Sequence, residues 1–310
     1  MSNVAVFGLG YVGCVTGACL ARDGHAVIGV DIDADKVAEI NAGQTPIREN
    51  GLDELVAEQV AAGRLAATTD TAEAVAKSDI AMIAVGTPSM DDGSVTTHVL
   101  EAVVRSIGKA LRAAPKSYHV VIRSTLLPGP LETQMRPALD EELGPGFPAE
   151  VVLCNNPEFL REGSALKDYY HPPYVLVGAE VEAHARPVLD LYAAVEAGKR
   201  VTDPRTAALV KYACNNFHAV KVAFANEIGA VAKAMGADGH AVMRLVCEDT
   251  KLNISPAYMR PGFAFGGSCL PKDLRAINRF AEHAALRLNL LPSVMASNEN
   301  QLKRALKMVR

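Results

Sequence analysis

The feature that most constrains the fold is a glycine-rich run near the N-terminus, Gly8-Leu9-Gly10-Tyr11-Val12-Gly13. It follows an apolar stretch typical of a strand and precedes a helical pattern over residues 14–22. In such a run, the first two glycines allow a tight turn and a close backbone approach to a pyrophosphate. The third lets the helix pack closely against the strand. The order of strand, glycines and helix therefore predicts a βαβ unit that binds a dinucleotide.

Asp31 ends the second predicted strand, where a carboxylate can accept hydrogen bonds from the ribose hydroxyls of a dinucleotide. Its negative charge would repel the 2′-phosphate of NADP, so we expect NAD as the cofactor. Lys36 could reach the same ribose or a phosphate. The alternative is a Gly-rich turn in a similar domain that binds some other ligand.

The first two-thirds of the chain alternates short β-rich apolar runs with helical patterns, which predicts an α/β fold with a parallel sheet and crossover helices. From Pro204 to Met235 the pattern is continuously helical, with Asp203 as its N-cap, and most of the remainder is helical as well. We therefore predict a Rossmann-like domain, 1–202, and an all-helical domain, 203–310, whose long helix, 204–235, forms a homodimer interface. The clearest predicted strands are Val4–Phe7, Ala26–Val30, Ile80–Val85, His119–Arg123, Val151–Asn155 and Tyr174–Gly178.

Charge balance and cysteine usage exclude several classes of protein. The 31 basic and 35 acidic residues leave a net charge of −4, which gives no electrostatic reason to bind nucleic acid or an anionic membrane. No stretch has the roughly 18 uncharged apolar residues of a membrane span, and no signal-peptide pattern precedes the first strand. The six cysteines form no CxxC pair, so we predict no metal site and a cytoplasmic protein.

Three segments carry side chains that packing alone does not explain. The first, 156–163, follows a predicted strand and holds Glu158 and Glu162, which share one face if the segment is helical. Two carboxylates beside a nucleotide crevice suit base chemistry or hydrogen bonding to sugar hydroxyls. The alternative is a helical first turn in which glutamate stabilises the helix dipole.

The second segment is the long helix, which places Lys211, Asn215 and His218 within a narrow arc among apolar neighbours. Lys and Asn side chains on one helical face could stabilise negative charge that develops on an oxygen. Otherwise Lys211 is a surface lysine and His218 a core histidine.

The third segment is a Gly-rich loop, 260–273, whose backbone can approach a ligand closely. Pro271 suits the first turn of a following helix, which places Cys269 near the positive end of that helix and near Lys272. Both features favour the nucleophilic thiolate, and Asp273 could position a water or an attacking group. Free cysteines are more often small buried hydrophobic side chains, which is how we interpret Cys14, Cys19, Cys154 and Cys247.

Six motifs together resemble the UDP-glucose/GDP-mannose dehydrogenase family of nucleotide-sugar 6-dehydrogenases. They follow the family's order and spacing: GLGYVG at 8–13, VGTP at 85–88, RST at 123–125, NPEFLREG at 156–163, KYACNNF at 211–217 and GGSCLPKD at 266–273. The resemblance implies that a hexose C6 alcohol is oxidised twice, to a carboxylate, and that two NAD are consumed in succession.

The resemblance also implies a role for each matching residue. Cys269 matches the nucleophile that captures the intermediate aldehyde as a thiohemiacetal and then carries a thioester. Lys211 and Asn215 match residues that stabilise the oxyanion. Asp273 matches the carboxylate that works with that lysine and a water, and Glu158 matches the one associated with thioester hydrolysis. The substrate-binding positions are Leu160, Arg161, Glu162, His218, Tyr258, Arg260, Phe265 and Gly266; the cofactor-binding positions are Gly8, Gly10, Tyr11, Val12, Gly13, Asp31, Lys36, Thr87, Thr125 and Lys272.

The identity of the sugar nucleotide depends on weaker signals. His218 after Phe217, together with residues 171–173 and 258–265, is more similar to GDP-mannose members, so oxidation of GDP-mannose to GDP-mannuronate is the leading interpretation. UDP-glucose is the alternative substrate.

Family members also carry a further C-terminal Rossmann-like domain, whereas this sequence stops at Arg310 inside a helical pattern. We therefore expect a fragment or a chain that needs a partner. A catalytically silent NAD-binding and dimerisation module is the alternative from another class. A simple hydroxyacid dehydrogenase would leave the Cys269 loop unexplained.

Overall fold

The computed structural model describes the whole chain apart from Ser89, Asp92, Gly93, Arg260, Pro261, Ser268 and Arg310. The chain divides into two compact units, unit 1 (Met1–Ala213) and unit 2 (Cys214–Arg310). The division into domains at 202/203 stays a prediction.

Unit 1 is built on one sheet that, within the described residues, has eight strands in the order β3-β2-β1-β4-β5-β6-β7-β8. The pairings confirm the predicted α/β fold, because all are parallel except β6 with β7. The strands are β1 (Asn3–Phe7), β2 (Ala26–Val30), β3 (Leu65–Thr68), β4 (Ile80–Ile83), β5 (Tyr118–Ile122), β6 (Val151–Asn155), β7 (Val175–Gly178) and β8 (Lys199–Thr202).

Helices cover both faces of this sheet, and successive residues of β1 serve the two faces in turn. Val4 and Val6 join one apolar cluster, whereas Ala5 and Phe7 join the other, as the two-residue repeat of a strand requires. A π-helical turn, Leu131–Met135, precedes the sixth helix. The helices that begin in unit 1 are α1 (Tyr11–Arg22), α2 (Ala34–Asn41), α3 (Leu52–Ala61), α4 (Thr71–Ala76), α5 (His98–Ala113), α6 (Arg136–Leu143), α7 (Ala165–Tyr170), α8 (Glu182–Asp190) and α9 (Pro204–Ala234).

The strand order places β1 at a switch point of the sheet. The chain passes outward from β1 through β2 to β3, then returns to β4 on the other side of β1. At such a point the connections leave the carboxyl ends of neighbouring strands in opposite directions, which opens a crevice for a ligand. The glycine-rich loop (8–13) begins directly after β1 and therefore borders this crevice.

One antiparallel contact interrupts the otherwise parallel sheet, where β6 meets β7 through the pair Asn155 and Gly178. A Cβ on Gly178 would lie 2.0 Å from Asn155 Oδ1 and 2.7 Å from the Cβ of Ala207. The Asn155 amide also donates a hydrogen bond to the carbonyl of Pro204, at 3.2 Å. Only a glycine at 178 lets the start of α9 pack this closely on the sheet.

Unit 2 contains the rest of α9 and three further helices among its described residues: α10 (Gly239–Glu248), α11 (Cys269–His283) and α12 (Leu290–Val309). The predicted start of α9 is observed, because Asp203 Oδ1 accepts a hydrogen bond from the backbone N–H of Thr206 at 3.0 Å. Glu227 accepts hydrogen bonds from three consecutive N–H groups, 289–291, at the start of α12. No helix in the described part of the chain is long and apolar enough to cross a membrane.

Candidate active site

The glycine-rich loop has the close packing that its sequence predicts. Gly8 has a φ of +93°, and a Cβ there would lie 2.9 Å from the carbonyl oxygen of Ala84. A Cβ on Gly13 would lie 1.7 Å from the carbonyl oxygen of Gly8, so both positions require glycine. Gly10 differs, because a Cβ there would meet no atom within 4 Å. The loop is therefore tight against the protein on one side and open on the other.

A cleft of about 790 Å³ lies beside the open side of the loop. This volume falls in the range of about 300–1,000 Å³ that is typical of ligand sites. The cleft fits NAD, because Gly10 leaves room for a pyrophosphate and no side chain caps the N-terminus of α1. Its lining includes Gly8, Gly10, Asp31, Lys36, Val85 and Gly86.

The Asp31 carboxylate is fixed by the backbone around it. Asp31 Oδ2 accepts a hydrogen bond from the N–H of Leu9 at 2.7 Å, and Oδ1 accepts one from the N–H of Asp33 at 3.0 Å. Lys36 Nζ lies 3.7 Å from Asp31 Oδ2. The structure thus brings Asp31 and Lys36 together with the glycine-rich loop, as expected for a site that binds a ribose and phosphates.

The segments that follow β4 and β5 are tied to each other. The hydroxyl of Thr87 donates to the carbonyl of Thr125 at 3.0 Å, and the hydroxyl of Ser124 donates to the carbonyl of Val85 at 2.7 Å. Thr87 and Thr125, both predicted to bind the cofactor, therefore share one edge of the sheet.

The segment 156–163 is not helical, so the condition under which Glu158 and Glu162 would share a face is not met, and the alternative of a helical first turn is wrong. Pro157 disfavours the helical conformation in Asn156, and Gly163 has a φ of +82°, outside the right-handed helical region. Instead, the N–H of Leu160 donates to Glu158 Oε2 at 2.6 Å. Arg161, a predicted substrate-binding residue, forms two side-chain hydrogen bonds to Asp168, at 3.0 and 2.6 Å.

Glu158 pairs with Lys211, which reaches it from α9. Lys211 Nζ donates to Glu158 Oε1 at 2.8 Å, and each side chain is only 10% exposed. Lys211 Nζ also lies 5.7 Å from the centre of the Phe159 ring. The alternative of a surface lysine is therefore wrong. Both residues line a small pocket with Ser124 and Thr125, where a carboxylate and an ammonium group can share protons or polarise an oxygen.

Two residues of this region were not predicted as site residues from the sequence. Arg123 is buried and donates hydrogen bonds to Thr16 Oγ1, Asn156 Oδ1 and Tyr192 Oη at 3.0, 2.7 and 2.9 Å. The sequence feature that could have indicated Arg123 is a positively charged residue directly after an apolar strand. Glu49 accepts hydrogen bonds from three groups described below, and its signal is an acidic residue just before an Asn-Gly turn.

In unit 2, Cys269 is the first residue of α11, as the position of Pro271 predicts, and its side chain is exposed. Lys272 Nζ and Asp273 Oδ1 lie 3.5 Å apart in the first turns of the same helix, and both side chains are largely exposed. A thiol at this place can act as a nucleophile towards a carbonyl carbon.

The loop before Cys269 is held to α12 by an amide. The Phe265 N–H donates to Asn298 Oδ1 at 2.8 Å, and Asn298 Nδ2 donates to the Phe265 carbonyl at 2.9 Å. Gly266 and Tyr258 are exposed, whereas Arg260 lies outside the described residues. The backbone at Phe265, a predicted substrate-binding residue, is therefore anchored by a side chain of α12.

The remaining predicted residues of unit 2 lie on α9. Asn215 and His218 are both exposed, so the alternative of a core histidine at 218 is wrong. The interpretation of Cys247 as a buried hydrophobe is also wrong, because Cys247 is exposed at the end of α10. The same interpretation is confirmed for Cys14, Cys19 and Cys154, which are buried.

Comparison with known proteins matches this architecture in both of its parts. Residues 2–196 match the NAD binding domain of the UDP-glucose/GDP-mannose dehydrogenase family, and residues 205–300 match its central domain. The GDP-mannose 6-dehydrogenase of Pseudomonas putida is 46% identical over 308 residues, which are 99% of this chain and 70% of that protein. A UDP-glucose 6-dehydrogenase of Bacillus subtilis is 36% identical over 299 residues, 96% of this chain and 66% of that protein.

A solved structure is similar over the same extent. It is a ternary complex of GDP-mannose dehydrogenase from Pseudomonas aeruginosa, with a TM-score of 0.95 and 42% identity, and the match covers 99% of this chain and 70% of that one. Two family domains in the order that the fold presents, with relatives this similar over nearly the whole chain, confirm the resemblance of the six motifs. The chain belongs to the UDP-glucose/GDP-mannose dehydrogenase family.

Proposed function

We propose that this chain performs the NAD-dependent double oxidation of the C6 alcohol of a nucleotide sugar, GDP-mannose, to the carboxylate of GDP-mannuronate. The observation that carries the proposal is the position of Cys269, exposed as the first residue of α11 while three other thiols are buried. A dehydrogenase that stops at an aldehyde or ketone needs no thiol. A route from alcohol to carboxylate needs a nucleophile that turns the aldehyde into a species able to lose a second hydride.

The reaction divides into two oxidations and one hydrolysis. Bound NAD supplies the hydride acceptor in each oxidation. In the first, the C6 alcohol loses a hydride and its hydroxyl proton and becomes an aldehyde. The Cys269 thiol then adds to the aldehyde: its sulfur bonds to the carbon and its proton moves to the aldehyde oxygen. The resulting thiohemiacetal loses its hydride and hydroxyl proton to leave a thioester. Water finally cleaves the carbon–sulfur bond, which releases the carboxylate and restores the thiol.

The polar residues act on the oxygen atoms of these steps. Lys211 and Asn215 stabilise negative charge on the C6 oxygen, and a buried ammonium does so more strongly than one in water. Glu158 holds Lys211 in place and assists the attack of water on the thioester, and Asp273 positions that water. The support for Lys211 and Glu158 is their 2.8 Å contact; Asn215 and Asp273 rest on their positions in the motifs.

The choice of GDP-mannose rests on two kinds of similarity. The Phe217-His218 pair and the run 258–265 are more similar to GDP-mannose members. The Pseudomonas putida relative is also ten percentage points more identical to this chain than the Bacillus subtilis one, 46% against 36%. UDP-glucose is the competing substrate, and the experiment below separates the two.

We also propose a cytoplasmic homodimer formed through the long helix 204–235. Apolar side chains on the unit 2 part of α9 support it, because Phe217, Val220 and Val222 are 43%, 47% and 62% exposed. Exposed apolar side chains on one helix are typical of an interface between subunits. Light scattering at micromolar concentration should give twice the 32.8 kDa mass of the chain, and a monomer would contradict this part of the proposal.

The experiment that tests the function counts NADH per sugar consumed, with GDP-mannose and with UDP-glucose in separate reactions. Two NADH per GDP-mannose, with a uronic acid product, is the expected result. One NADH per sugar would contradict the double oxidation, and two NADH from UDP-glucose alone would reassign the substrate. NAD binding in calorimetry without NADH from either sugar would instead favour a silent NAD-binding and dimerisation module.

A further inference from the structure

The carboxylate of Glu49 joins three segments of unit 1 that are distant in the sequence. Glu49 Oε2 accepts hydrogen bonds from the hydroxyl of Tyr11 and, at 2.8 Å, from the N–H of Gly163. Glu49 Oε1 accepts a third hydrogen bond from the N–H of Ala165, at 3.1 Å. Tyr11 lies in the glycine-rich loop, and Gly163 and Ala165 follow the predicted substrate-binding residues 160–162.

Tyr11 connects this carboxylate to the cofactor side. It is the residue between Gly10 and Val12 in the glycine-rich loop and the first residue of α1. Its hydroxyl also lies 3.2 Å from the carbonyl of Arg161, so its single proton can be donated to either acceptor. A shift of the glycine-rich loop on binding a pyrophosphate would therefore move a partner of Glu49.

The N–H groups of Gly163 and Ala165 connect Glu49 to the segment that holds predicted substrate-binding residues. Gly163 and Ala165 lie in the segment 158–165, here called the substrate loop, which begins with Glu158 and holds the predicted substrate-binding residues 160–162. Asn50 adds a longer contact from its amide to the Gly163 carbonyl, at 3.4 Å. The substrate loop has no helix or strand of its own before Ala165, so such contacts decide where it lies.

The protonation states of Glu49 and Tyr11 favour a lasting hydrogen bond between the two side chains. Burial alone would raise the pKa of Glu49, but hydrogen bonds from Tyr11, Gly163 and Ala165 outweigh it and hold the pKa below its usual value. Burial and the neighbouring Glu49 raise the pKa of Tyr11. At neutral pH the pair is thus a carboxylate that accepts from a phenol, which is a charge-assisted hydrogen bond.

We propose that Glu49 is a positioning residue that couples the glycine-rich loop to the substrate loop, so that NAD and the nucleotide sugar each strengthen the binding of the other. The inference rests on the proposed function for the identity of the second ligand. The coupling itself needs only the Tyr11–Glu49–Gly163 connection. By linkage, whatever free energy Glu49 transmits from NAD to the substrate loop is transmitted equally in the reverse direction.

The test compares Glu49→Gln, which keeps the size of the side chain, with wild type and with the control Glu54→Gln, an exposed glutamate in α3. Hydrogen exchange of residues 161–165 is measured with and without NAD. We expect NAD to slow exchange about fivefold or more in wild type and Glu54→Gln, and to have little effect in Glu49→Gln. At a concentration of NAD that saturates Tyr11→Phe, this variant, which removes only the hydroxyl, should also lose the effect of NAD on exchange.

A second readout uses the sugar nucleotide. In Glu49→Gln, the KM for GDP-mannose should rise about fivefold or more, while kcat at saturating ligands stays close to wild type. Equal slowing of exchange by NAD in wild type and Glu49→Gln would overturn the proposal, as would no slowing in wild type. Because the exchange experiment needs no turnover, it tests the coupling even where the proposed activity fails.

Discussion

Lys211 on α9 and Glu158 after β6 form a 2.8 Å ion pair in which each side chain is 10% exposed. The second oxygen of Glu158 is already used by the N–H of Leu160, so the carboxylate has a fixed direction. A buried charge that loses its partner is costly, which makes each residue of the pair dependent on the other.

Replacing Lys211 with Met should lower kcat by about 100-fold or more, because a preorganised charge for the C6 oxygen is lost. The melting temperature should fall as well, since Glu158 is left as a buried carboxylate without a cation. The matched control is Lys221→Met. Lys221 is another lysine of α9 whose ammonium lies over an aromatic ring, 4.9 Å from the centre of Phe217. Steady-state kinetics in which both variants behave alike would contradict the role of Lys211.

The thiols of this chain should differ sharply in reactivity. Burial raises the pKa values of Cys14, Cys19 and Cys154 to about 12, so almost none of these thiols is ionised at pH 8. Iodoacetamide at pH 8 should therefore modify the exposed Cys269 and Cys247 and spare these three, as read by peptide mass spectrometry.

Only one of the exposed thiols should matter for catalysis. Cys269→Ala should abolish formation of the uronic acid, whereas Cys247→Ala, which removes an equally exposed thiol, should keep activity within about twofold. Steady production of the acid by Cys269→Ala would show that another group captures the aldehyde.

Asp31 should govern the preference for NAD over NADP. Asp31→Asn keeps an acceptor for the N–H of Leu9 but removes the charge that repels a 2′-phosphate. Calorimetry should show NAD binding weakened about tenfold and the preference over NADP reduced. Asp35→Asn, the same change at an exposed site on α2, is the control and should alter neither affinity. An unchanged ratio of the two affinities in Asp31→Asn would contradict the assignment.

His25 should make the stability of unit 1 fall under mildly acidic conditions. Burial lowers the pKa of this histidine, Nδ1 accepts from the N–H of Ser2 at 3.2 Å, and Nε2 lies 3.2 Å from the carbonyl of Leu191. The folded chain therefore prefers the neutral ring. As the pH falls through about 6.5, the unfolded chain binds a proton that the folded chain resists, so stability is lost.

Calorimetry between pH 7.5 and 5.5 should show the melting temperature falling, with no more than about 5 °C in total coming from this residue. In His25→Gln the slope should be smaller, whereas in His240→Gln, at an exposed position, it should be unchanged. Equal slopes in all three proteins would exclude His25 as the origin of the effect.

The strands with continuous apolar runs could be predicted from the sequence, and those with mixed runs could not. β1, β2, β4, β5, β6 and β7 are predicted to within two residues at each end, because most of their residues are buried between the layers of helices. β3 and β8 were missed since they lie at the two ends of the strand order and are partly exposed. The antiparallel contact of β6 with β7 depends on tertiary packing around Gly178, which no local pattern reports.

In the functional site, too, the sequence predicted features that depend on neighbouring residues and missed contacts between distant ones. The glycine-rich loop and the start of α11 at Cys269 follow from turn and helix preferences of adjacent residues. The partners of Glu158 and Glu49 lie 53 and up to 116 residues away in the sequence, so their contacts need the folded sheet. The non-helical path of 156–163 could not have been expected from Pro157, because a proline is well tolerated in the first turn of a helix.

A substitution of Gly178 is expected to impair catalysis, although Gly178 is not one of the proposed catalytic residues. A methyl group there would collide with Asn155 and with Pro204 and Ala207 in the first turn of α9, so we expect that turn to shift. Lys211 stands one turn beyond Ala207 on that helix. Because a helix is stiff, a shift of its first turn would also move the Lys211 ammonium group. Gly178→Ala should therefore lose turnover while the protein still binds NAD.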